Sequence, residues 1–172
     1  GASAVFDGTN DYLLCGQAVV PSTEDFTVEY WIRFNNVSSS RRDFFAQYTG
    51  AVNGRFTMNT QTNGAFQTFI GGTGAPGVLE TSAGKIVDNT WYHISFVRSG
   101  TNFYLFVDGV LEDTATGTVG IEQRETMIGQ RNDGSGDFSG YIDELRVSNT
   151  ARYTAIFTAP TAPFVIDDNT LL

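Results

Sequence analysis

The sequence predicts an all-β fold, a two-sheet antiparallel β-sandwich. Aromatic residues make up 13% of the 172 residues, with 14 Phe, and the chain has 19 Gly. This mixture favours strands and tight turns. Asp-Gly and Asn-Gly dipeptides recur along the chain, at positions 7–8, 53–54, 63–64, 108–109 and 133–134. Short runs of alternating polar and apolar residues separate them, whereas no segment of useful length repeats every 3.6 residues.

The clearest strand is the run from residue 26 to residue 34, where polarity alternates strictly. One face of the strand carries Phe26, Val28, Tyr30, Ile32 and Phe34. The other carries Thr27, Glu29, Trp31 and Arg33. Alternating side chains point to opposite faces of a strand, so the first set is expected to pack against the second sheet. The second set is expected to form a half-covered surface on which a Trp lies beside charged groups.

Other short runs predict the remaining strands, and one pair predicts a tight hairpin. The residues on either side of Asp108-Gly109 alternate in the same way, and a two-residue Asp-Gly loop favours a type I′ turn. A single helical turn is predicted near residues 151–154. The predicted strands cover 4–6, 12–14, 43–47, 55–60, 65–70, 91–98, 102–107, 110–114, 126–128 and 140–148.

The sequence predicts one domain over residues 1–158, followed by a tail over 159–172. The length suits a single full core, and no linker divides the chain. The tail contains Pro160 and Pro163, and proline is excluded from central strands because it lacks the amide donor. The tail is therefore interpreted as a strap or as a linker to a following module.

The charge of the chain limits the classes of molecule that it is expected to bind. The net charge is −9 and the isoelectric point about 4.4, and Lys85 is the single lysine. A polyanion would be repelled, so nucleic acid and anionic membranes are not expected partners. No apolar run approaches the ~18 residues that a membrane-spanning helix needs. An acidic surface suits neutral glycans and divalent cations, although solubility alone could also explain it.

Nucleophilic catalysis is not expected. Cys15 is the single cysteine and His93 the single histidine, so no intramolecular disulfide forms. Cys15 lies in an alternating run and is interpreted as a small buried apolar residue. His93 shares a strand face with Trp91 and is interpreted as a structural histidine. Glu29 and Arg146 are expected to form a structural ion pair, because a half-buried charge needs a partner.

Four separated stretches, in order, resemble one family. They are AVFDGTNDYL at 4–13, DFTVEYWI at 25–32, WYHISFVR with LFVDG at 91–109, and IG with FSGYIDELRV at 128–147. Together they resemble laminin-G-like domains, jelly rolls of the concanavalin A-like lectin/glucanase class. The closing stretch ARYTAIF at 151–157, with the prolines that follow, is similar to copies in bacteriophage tail and other virion proteins.

The resemblance implies a non-catalytic module that binds carbohydrate or another surface, on an extracellular or virion (phage tail or fibre) protein. Its expected partners are a glycan or cell-surface polysaccharide and the neighbouring domains of a longer polypeptide. The alternative is a purely structural domain of a phage protein or adhesin, without any ligand. A glycan array with and without calcium separates the two.

The resemblance also implies a structural Ca²⁺ held between the loop after the first strand and the closing strand. The matching positions are Asp7, Gly8, Asn10 and Asp143. Carboxylate and carbonyl oxygens of this kind suit a hard cation. The alternative is that Asp7-Gly8 is only a turn and that Asp143 caps a strand end.

Sugar binding requires exposed aromatic rings beside hydrogen-bonding side chains. Tyr48, Phe66, Phe69 and Tyr104 are the aromatic candidates. Arg131, Asn132 and Asp133 are the polar ones. Core packing is the competing explanation for each Phe.

Glycoside hydrolysis is not expected, although the resemblance includes glucanases. Hydrolases of this fold carry acid and nucleophile on one strand face, about 5 Å apart. Asp143 and Glu144 are adjacent, so a regular strand sends them to opposite faces. The patterns Glu-x-Asp-x-Glu and Glu-x-Asp-x-x-Glu do not occur in the chain.

Overall fold

The computed structural model describes residues 2–37, 40–48, 50 and 53–172. These residues form twelve strands and no helix: β1 (Ala4–Asp7), β2 (Leu13–Cys15), β3 (Phe26–Phe34), β4 (Arg42–Gln47), β5 (Phe56–Thr60), β6 (Phe66–Ile70), β7 (Gly77–Glu80), β8 (Trp91–Ser99), β9 (Asn102–Val107), β10 (Val110–Thr116), β11 (Thr126–Ile128) and β12 (Ser139–Ser148).

The strands form two antiparallel six-stranded sheets, so the predicted sandwich is confirmed. Sheet A has the order β1-β12-β3-β8-β9-β10, and sheet B has the order β2-β11-β4-β5-β6-β7. The first and closing strands pair at one side of sheet A, with Val5 opposite Tyr141. The outer face of each sheet is the face turned away from the other sheet.

Aromatic side chains fill the space between the sheets. The predicted inner face of β3 is buried throughout, with Tyr30 and Phe34 each 1% exposed. The ring of Phe44 on β4 packs against both, at centroid distances of 5.7 and 5.8 Å. It also contacts Phe66 at 5.3 Å and Phe138 at 5.9 Å. The Phe44 ring thus contacts rings from several other elements. Packing of this kind between the sheets uses many of the Phe residues in the chain.

Turn chemistry shapes the strand ends as the sequence predicts. Asp108 and Gly109 both have positive φ, 51° and 77°, as a type I′ turn requires. A β-bulge interrupts β12 between Asp143 and Arg146, where Glu144 has a φ of 52°. A bulge turns side chains away from the regular alternation, and here it directs Glu144 towards the tail.

Two features differ from the prediction. Strand β7 follows Pro76 and begins with Gly77. Its four residues are too few to show an alternation of polar and apolar side chains in the sequence. The strand is recognised in the structure from its pairing with β6. The predicted helical turn at residues 151–154 is wrong. Arg152 donates its backbone amide to the Thr27 hydroxyl instead, at 2.9 Å, so contact with sheet A determines this segment.

A charged cluster lies on the outer face of sheet A, with the fully buried Glu29 carboxylate at its centre. Arg146 donates to its Oε1 through Nε and Nη2, at 2.9 and 2.6 Å. The Tyr153 hydroxyl donates to its Oε2 at 3.0 Å, and His93 Nε2 lies 3.3 Å from the same atom. Arg152 Nε approaches within 3.8 Å. The predicted Glu29–Arg146 ion pair is confirmed.

The pKa values of this cluster follow from its burial and contacts. Burial alone would raise the pKa of Glu29, but the bonds from His93 and Arg146 and the charge of Arg146 outweigh it and leave the pKa lowered. Burial and the neighbouring carboxylate raise the pKa of Tyr153 to about 12. Glu29 is therefore an anion and Tyr153 a neutral donor at ordinary pH.

Phe157 and the tail that follows it lie over this cluster. The ring of Phe157 packs on Phe106 at 5.3 Å, and the Arg146 guanidinium lies over the ring of Phe164 at 4.4 Å. The Phe164 amide donates to Glu144 Oε2 at 2.7 Å. Further on, the Val147 amide donates to the carbonyl of Leu172 at 2.8 Å. The tail thus excludes water from the charges below it. No helix in the described part of the chain is long and apolar enough to cross a membrane.

Replacing Glu29 by Gln is expected to destabilise the fold by about 3–5 kcal/mol, because it leaves the buried Arg146 guanidinium without its anion. The pKa of Glu29 is lowered from 4.5, so its contribution is fully present above that pH and is lost as the pH falls through the folded pKa. Urea unfolding between pH 7 and pH 3 should show this acid loss in the wild type and a smaller one in Glu29→Gln.

The matched control is Glu112→Gln. Glu112 pairs with Lys85 at 2.6 Å in a partly exposed position, with side chains 12% and 32% exposed, so its loss should cost about 1 kcal/mol, less than the loss of the fully buried Glu29. Equal losses in the two variants would contradict the central position of Glu29.

Candidate functional site

A cleft of about 890 Å³ opens at the edge of sheet B. Strands β2 and β11 form part of it, where Leu14 lies directly opposite Met127. The neighbouring loops complete the walls. The lining residues are Leu14, Gly16, Gln17, Ala18, Tyr48, Gly50, Gln123, Arg124, Glu125, Met127, Asn132 and Asp133.

The apolar part of the cleft lies on the outer face of sheet B. In the strand register, Leu14 pairs with Met127, and Met127 pairs with Ala46 of β4. Leu14 is 50% exposed although it is a large apolar residue. An exposed apolar surface within a concave, polar-walled cleft is typical of a ligand site.

Gln47 at the end of β4 holds the loops of the cleft together. Its fully buried side chain accepts from the amides of Val19 and Val20, at 3.1 and 3.0 Å, and from the Thr126 hydroxyl at 2.7 Å. Its Nε2 donates to the carbonyls of Val20 and Glu122, at 3.1 and 3.0 Å. One amide group therefore fixes the chain after β2 against the chain before β11.

The polar wall is built from Tyr48 after β4 and from the loop between β11 and β12. The Tyr48 hydroxyl lies 3.3 Å from Asp133 Oδ2, and Arg55 donates to this hydroxyl at 3.4 Å. Arg131 Nη2 donates to Asp133 Oδ2 at 2.9 Å. The Arg55 guanidinium lies over the Tyr48 ring at 4.3 Å. These contacts hold the wall in one arrangement.

Asn132 has one acceptor without a donor beside the cleft. Its Nδ2 donates to the Glu125 carbonyl at 3.1 Å. Its Oδ1 is buried and accepts no hydrogen bond from any residue that the structure describes. A buried acceptor without a donor carries a free-energy cost of about 1–3 kcal/mol. Because this atom is shielded from solvent, a sugar hydroxyl can offset that cost only when the Asn132 side chain turns towards the cleft.

The protonation states of the wall follow from its pKa values. Burial raises the pKa of Tyr48 and the charges of Arg55 and Arg131 lower it only in part, so the phenol stays protonated. Burial would raise the pKa of Asp133, but hydrogen bonding by Ser135 and the charge of Arg131 leave it lowered. At neutral pH the wall therefore presents the Asp133 carboxylate, backed by the neutral phenol of Tyr48, which is only 2% exposed and is not the exposed ring that the sequence predicted.

Four of the six predicted ligand residues come together here: Tyr48, Asn132 and Asp133 line the cleft, and Arg131 is bound to Asp133. The prediction for Phe66 is wrong, because its ring is fully buried against Phe44 between the sheets. Tyr104 is not part of this site either.

Tyr104 lies on β9 of the other sheet, where it stacks on Phe106 at 6.2 Å. Phe69, the fourth aromatic candidate, is half-buried on β6, opposite Thr57 of β5, with the Arg55 guanidinium 6.0 Å from its ring. It lies outside the lining of the cleft.

The structure does not assemble the four predicted calcium ligands. Asp7 lies opposite Ser139 in the β1–β12 register, and Asp143 lies four residues further along β12, opposite Trp31 of β3. Four residues of strand span about 13 Å, whereas calcium ligands lie about 2.3–2.6 Å from the ion. Asp143 therefore cannot share an ion with the loop that carries Asp7, Gly8 and Asn10.

The geometry of the two segments agrees with turn formation. Asp7 Oδ1 accepts from the Thr9 amide at 2.7 Å, and Asn10 has a φ of 61°. Asp143 Oδ1 accepts from the Glu144 amide at 2.9 Å. Within the described ranges no group of three or more His, Cys, Asp or Glu side chains could hold a metal ion. Calcium binding by the loop alone, through the Asp7 carboxylate and backbone carbonyls, stays a prediction.

Sequence reasoning missed the apolar surface and the scaffold of the cleft. Leu14 and Met127 are 113 residues apart in the chain, and only the β2–β11–β4 pairing brings them together. The one local signal was Leu13-Leu14 in a short strand next to a glycine, which is typical of an exposed edge. Nothing local distinguishes Gln47 from any other strand glutamine.

The chain belongs to the concanavalin A-like lectin/glucanases superfamily. The family model, described as a laminin G domain of that superfamily, matches residues 7–155, which include strands of both sheets and the cleft. No curated protein matches the chain in sequence.

Several solved structures share the fold. A heptameric SAP-like pentraxin from Limulus polyphemus is 22% identical, with a TM-score of 0.64 over 87% of this chain and 76% of its own. Domain 4 of the extracellular arabinanase AbnA from Geobacillus stearothermophilus, solved with arabinotriose, is 19% identical, with a TM-score of 0.64 over 88% and 72%. The CBM40 domain of the Ruminococcus gnavus IT-sialidase is 12% identical, with a TM-score of 0.61 over 84% and 93%.

Identities this low establish a shared fold and no shared ligand. Other matching chains are longer, and this chain spans 26%, 50% and 39% of the length of three of them. The domain therefore corresponds to one module of such proteins.

The register predicts how any calcium dependence responds to mutation. An ion that binds only the folded state adds about 2.7 kcal/mol at one hundred times its Kd, or about 5–11 °C in Tm at ~2–4 °C per kcal/mol. Melting curves in EDTA and in millimolar calcium should differ for the wild type and for Asp143→Asn, and coincide for Asp7→Asn. Coinciding wild-type curves would exclude the calcium prediction, and a shift that Asp143→Asn abolishes would contradict the register.

Proposed function

We propose that this domain is a non-catalytic carbohydrate-binding module and that the cleft at the edge of sheet B is its binding site. The observation that carries the proposal is the composition of the cleft. An apolar surface of Leu14 and Met127 faces a fixed polar wall of Tyr48, Asn132 and Asp133. Sugars present apolar C–H faces and hydroxyl groups together, so they suit a site of this mixed kind.

The charges near the cleft favour a neutral glycan. The chain has a net charge of −9, but around the cleft most charges are compensated. Arg131 is bound to Asp133 at 2.9 Å, and Arg124 to Glu122 at 3.2 Å. A site with balanced charges neither attracts nor repels a neutral ligand. A polyanion would be repelled by the negative charge on the rest of the surface.

The family and the fold support the same proposal. The superfamily includes lectins, and the arabinanase domain of similar fold was solved with arabinotriose bound. By this likeness, the module would sit on an extracellular protein and anchor it to a polysaccharide. A position on a virion, in a phage tail or fibre protein, is the finer proposal, and it rests on the closing stretch at residues 151–157.

A purely structural domain is the second candidate. The exposed apolar side chains of the tail, Val165 at 76% and Ile166 at 84%, are the observation in its favour, because a neighbouring module could cover them. It predicts no glycan binding by the isolated domain.

Asn132→Ala is expected to weaken glycan binding about tenfold, which corresponds to the loss of about 1.4 kcal/mol, because it removes an amide side chain that lines the cleft. Tyr12→Ala is the matched control, since Tyr12 is 51% exposed and lies outside the cleft lining. Titration calorimetry against neutral plant and bacterial oligosaccharides checks both, with wild-type Kd values expected between about 1 μM and 1 mM. If the folded wild type binds no glycan on a broad array, the purely structural domain is the candidate function that remains.

The domain is expected to release no reducing ends from β-glucans or arabinan. A general acid needs a raised pKa, whereas the pKa of Asp133 in the cleft is lowered. Asp43, whose pKa is raised by burial, is 1% exposed and inaccessible to substrate. A reducing-sugar assay above buffer controls, with activity that Asp133→Asn or Glu125→Gln abolishes, would overturn this expectation.

A further inference from the structure

A second row of side chains, on the outer face of sheet A, remains uncovered beside the tail. In the strand register Val5 lies opposite Tyr141, Tyr141 opposite Arg33, and Arg33 opposite Trp91. These four side chains therefore form one line across β1, β12, β3 and β8. Val5 is 61% exposed and Trp91 is 37% exposed. We call this line the sheet A row.

The rings of the row are held in place by contacts within it. The Arg33 guanidinium lies over the Tyr141 ring at 5.1 Å, and the Trp91 and Tyr141 rings are 6.3 Å apart. Arg33 Nη2 donates to Asn89 Oδ1 at 2.9 Å. Trp31 lies next to the row on β3, with its ring 5.5 Å from that of His93. The result is an aromatic surface whose Trp91 and Tyr141 rings are inclined by 55° to each other, with hydrogen-bonding groups at its margin.

Arg33 differs from the arginines of the buried charged cluster around Glu29. Arg146 and Arg152 are bound to carboxylates, whereas Arg33 has no carboxylate within 4 Å among the residues that the structure describes. Its buried Nε also has no acceptor in the described chain. The terminal nitrogens of Arg33, and not its buried Nε, are therefore the donors that a ligand can reach, and Asn89 is the acceptor that they bind among the described residues.

We propose that the sheet A row is a second glycan-binding surface, which takes a short neutral oligosaccharide. The pyranose or furanose faces would stack on Trp91 and Tyr141, and hydroxyl groups would bond to Arg33 and Asn89. Asp143 lies two residues from Tyr141 on the same face, so one guanidinium and one carboxylate balance each other. That balance favours a neutral ligand over an acidic one.

The dimensions of the row favour a sugar over a protein. Four strands are separated by three spacings of about 4.8 Å, so the row is about 14 Å long. One residue pair along the strands is about 7 Å wide. The product is of order 100 Å², far below the ~800 Å² per partner that a stable protein complex buries. A strip of this size suits a few sugar rings.

The two surfaces lie on the outer faces of different sheets, the row on sheet A and the cleft on sheet B. One domain could therefore hold two polysaccharide chains at once, or two segments of one chain. Two linked sites raise the overall affinity for a polymer without any new contact. The proposal does not depend on the cleft, because each site has its own residues.

Both tryptophans of the protein, Trp31 and Trp91, lie at the sheet A row, and neither lines the cleft. Tryptophan fluorescence therefore reports on the row alone. The probes are cellohexaose, xylohexaose, mannohexaose and arabinohexaose. The variants are Trp31→Phe, which leaves Trp91 as the single reporter, Trp91→Ala with Tyr141→Ala, Asn132→Ala for the cleft, and Tyr12→Ala as the exposed aromatic control.

At least one probe is expected to change the fluorescence of Trp31→Phe in a saturable way. The change should persist in Asn132→Ala and Tyr12→Ala. Calorimetry on the Trp91→Ala, Tyr141→Ala variant should show binding weakened about tenfold at this site, a loss of about 1.4 kcal/mol, with a circular dichroism spectrum like that of the wild type.

Each other outcome overturns a definite part of the account. If calorimetry shows binding but the fluorescence does not change, and the Trp91→Ala, Tyr141→Ala variant binds as the wild type does, then the sheet A row is not a binding site and the cleft is. If the fluorescence change persists in Asn132→Ala and calorimetry shows no second binding event, then the sheet A row binds glycan and the cleft does not. No heat or signal with any probe would remove both. A dimer in sedimentation that Trp91→Ala dissolves would assign the row to a second copy of the chain.

Discussion

The Glu29 carboxylate is the contact on which the arrangement of sheet A depends. It is fully buried on the outer face of β3, and it receives hydrogen bonds from β12 and from the chain that follows β12. A buried anion is tolerated only when its partners stay in place. The segment around Tyr153 and the tail over Arg146 are therefore held by the same group that joins β3 to the closing strand.

This cluster also decides which surfaces remain free for ligands. Phe157 and the tail residue Phe164 cover the middle of the outer face of sheet A and leave the row from Val5 to Trp91 uncovered at its border. At the β2 edge of sheet B, Gln47 fixes the surrounding loops and the cleft opens. The two proposed binding surfaces are thus parts of the outer faces that the described residues leave open.

The sequence allowed the architecture to be predicted because strand alternation and turn residues are local signals. The inner face of β3 and the Asp108-Gly109 turn are examples. The Glu29–Arg146 pair was also predictable, because a buried charge on one strand requires a charge of opposite sign nearby. The cleft could be predicted only in part. Tyr48 and the 131–133 loop carry visible sugar-binding chemistry, but whether Phe66 points into the core depends on the bulge and register of sheet B. The calcium set failed for a similar reason, since four residues of register separate Asp143 from Asp7.

The central claim, that a glycan occupies the cleft, is tested most directly by chemical-shift mapping on ¹⁵N-labelled protein during titration with an oligosaccharide that an array identifies. The account predicts that the largest shifts fall on amides of residues 14–18, 123–127 and 131–133, which come from separate parts of the chain and meet only at the cleft. Shifts confined to other regions, or no shifts at saturating concentrations of every array-positive glycan, would contradict it.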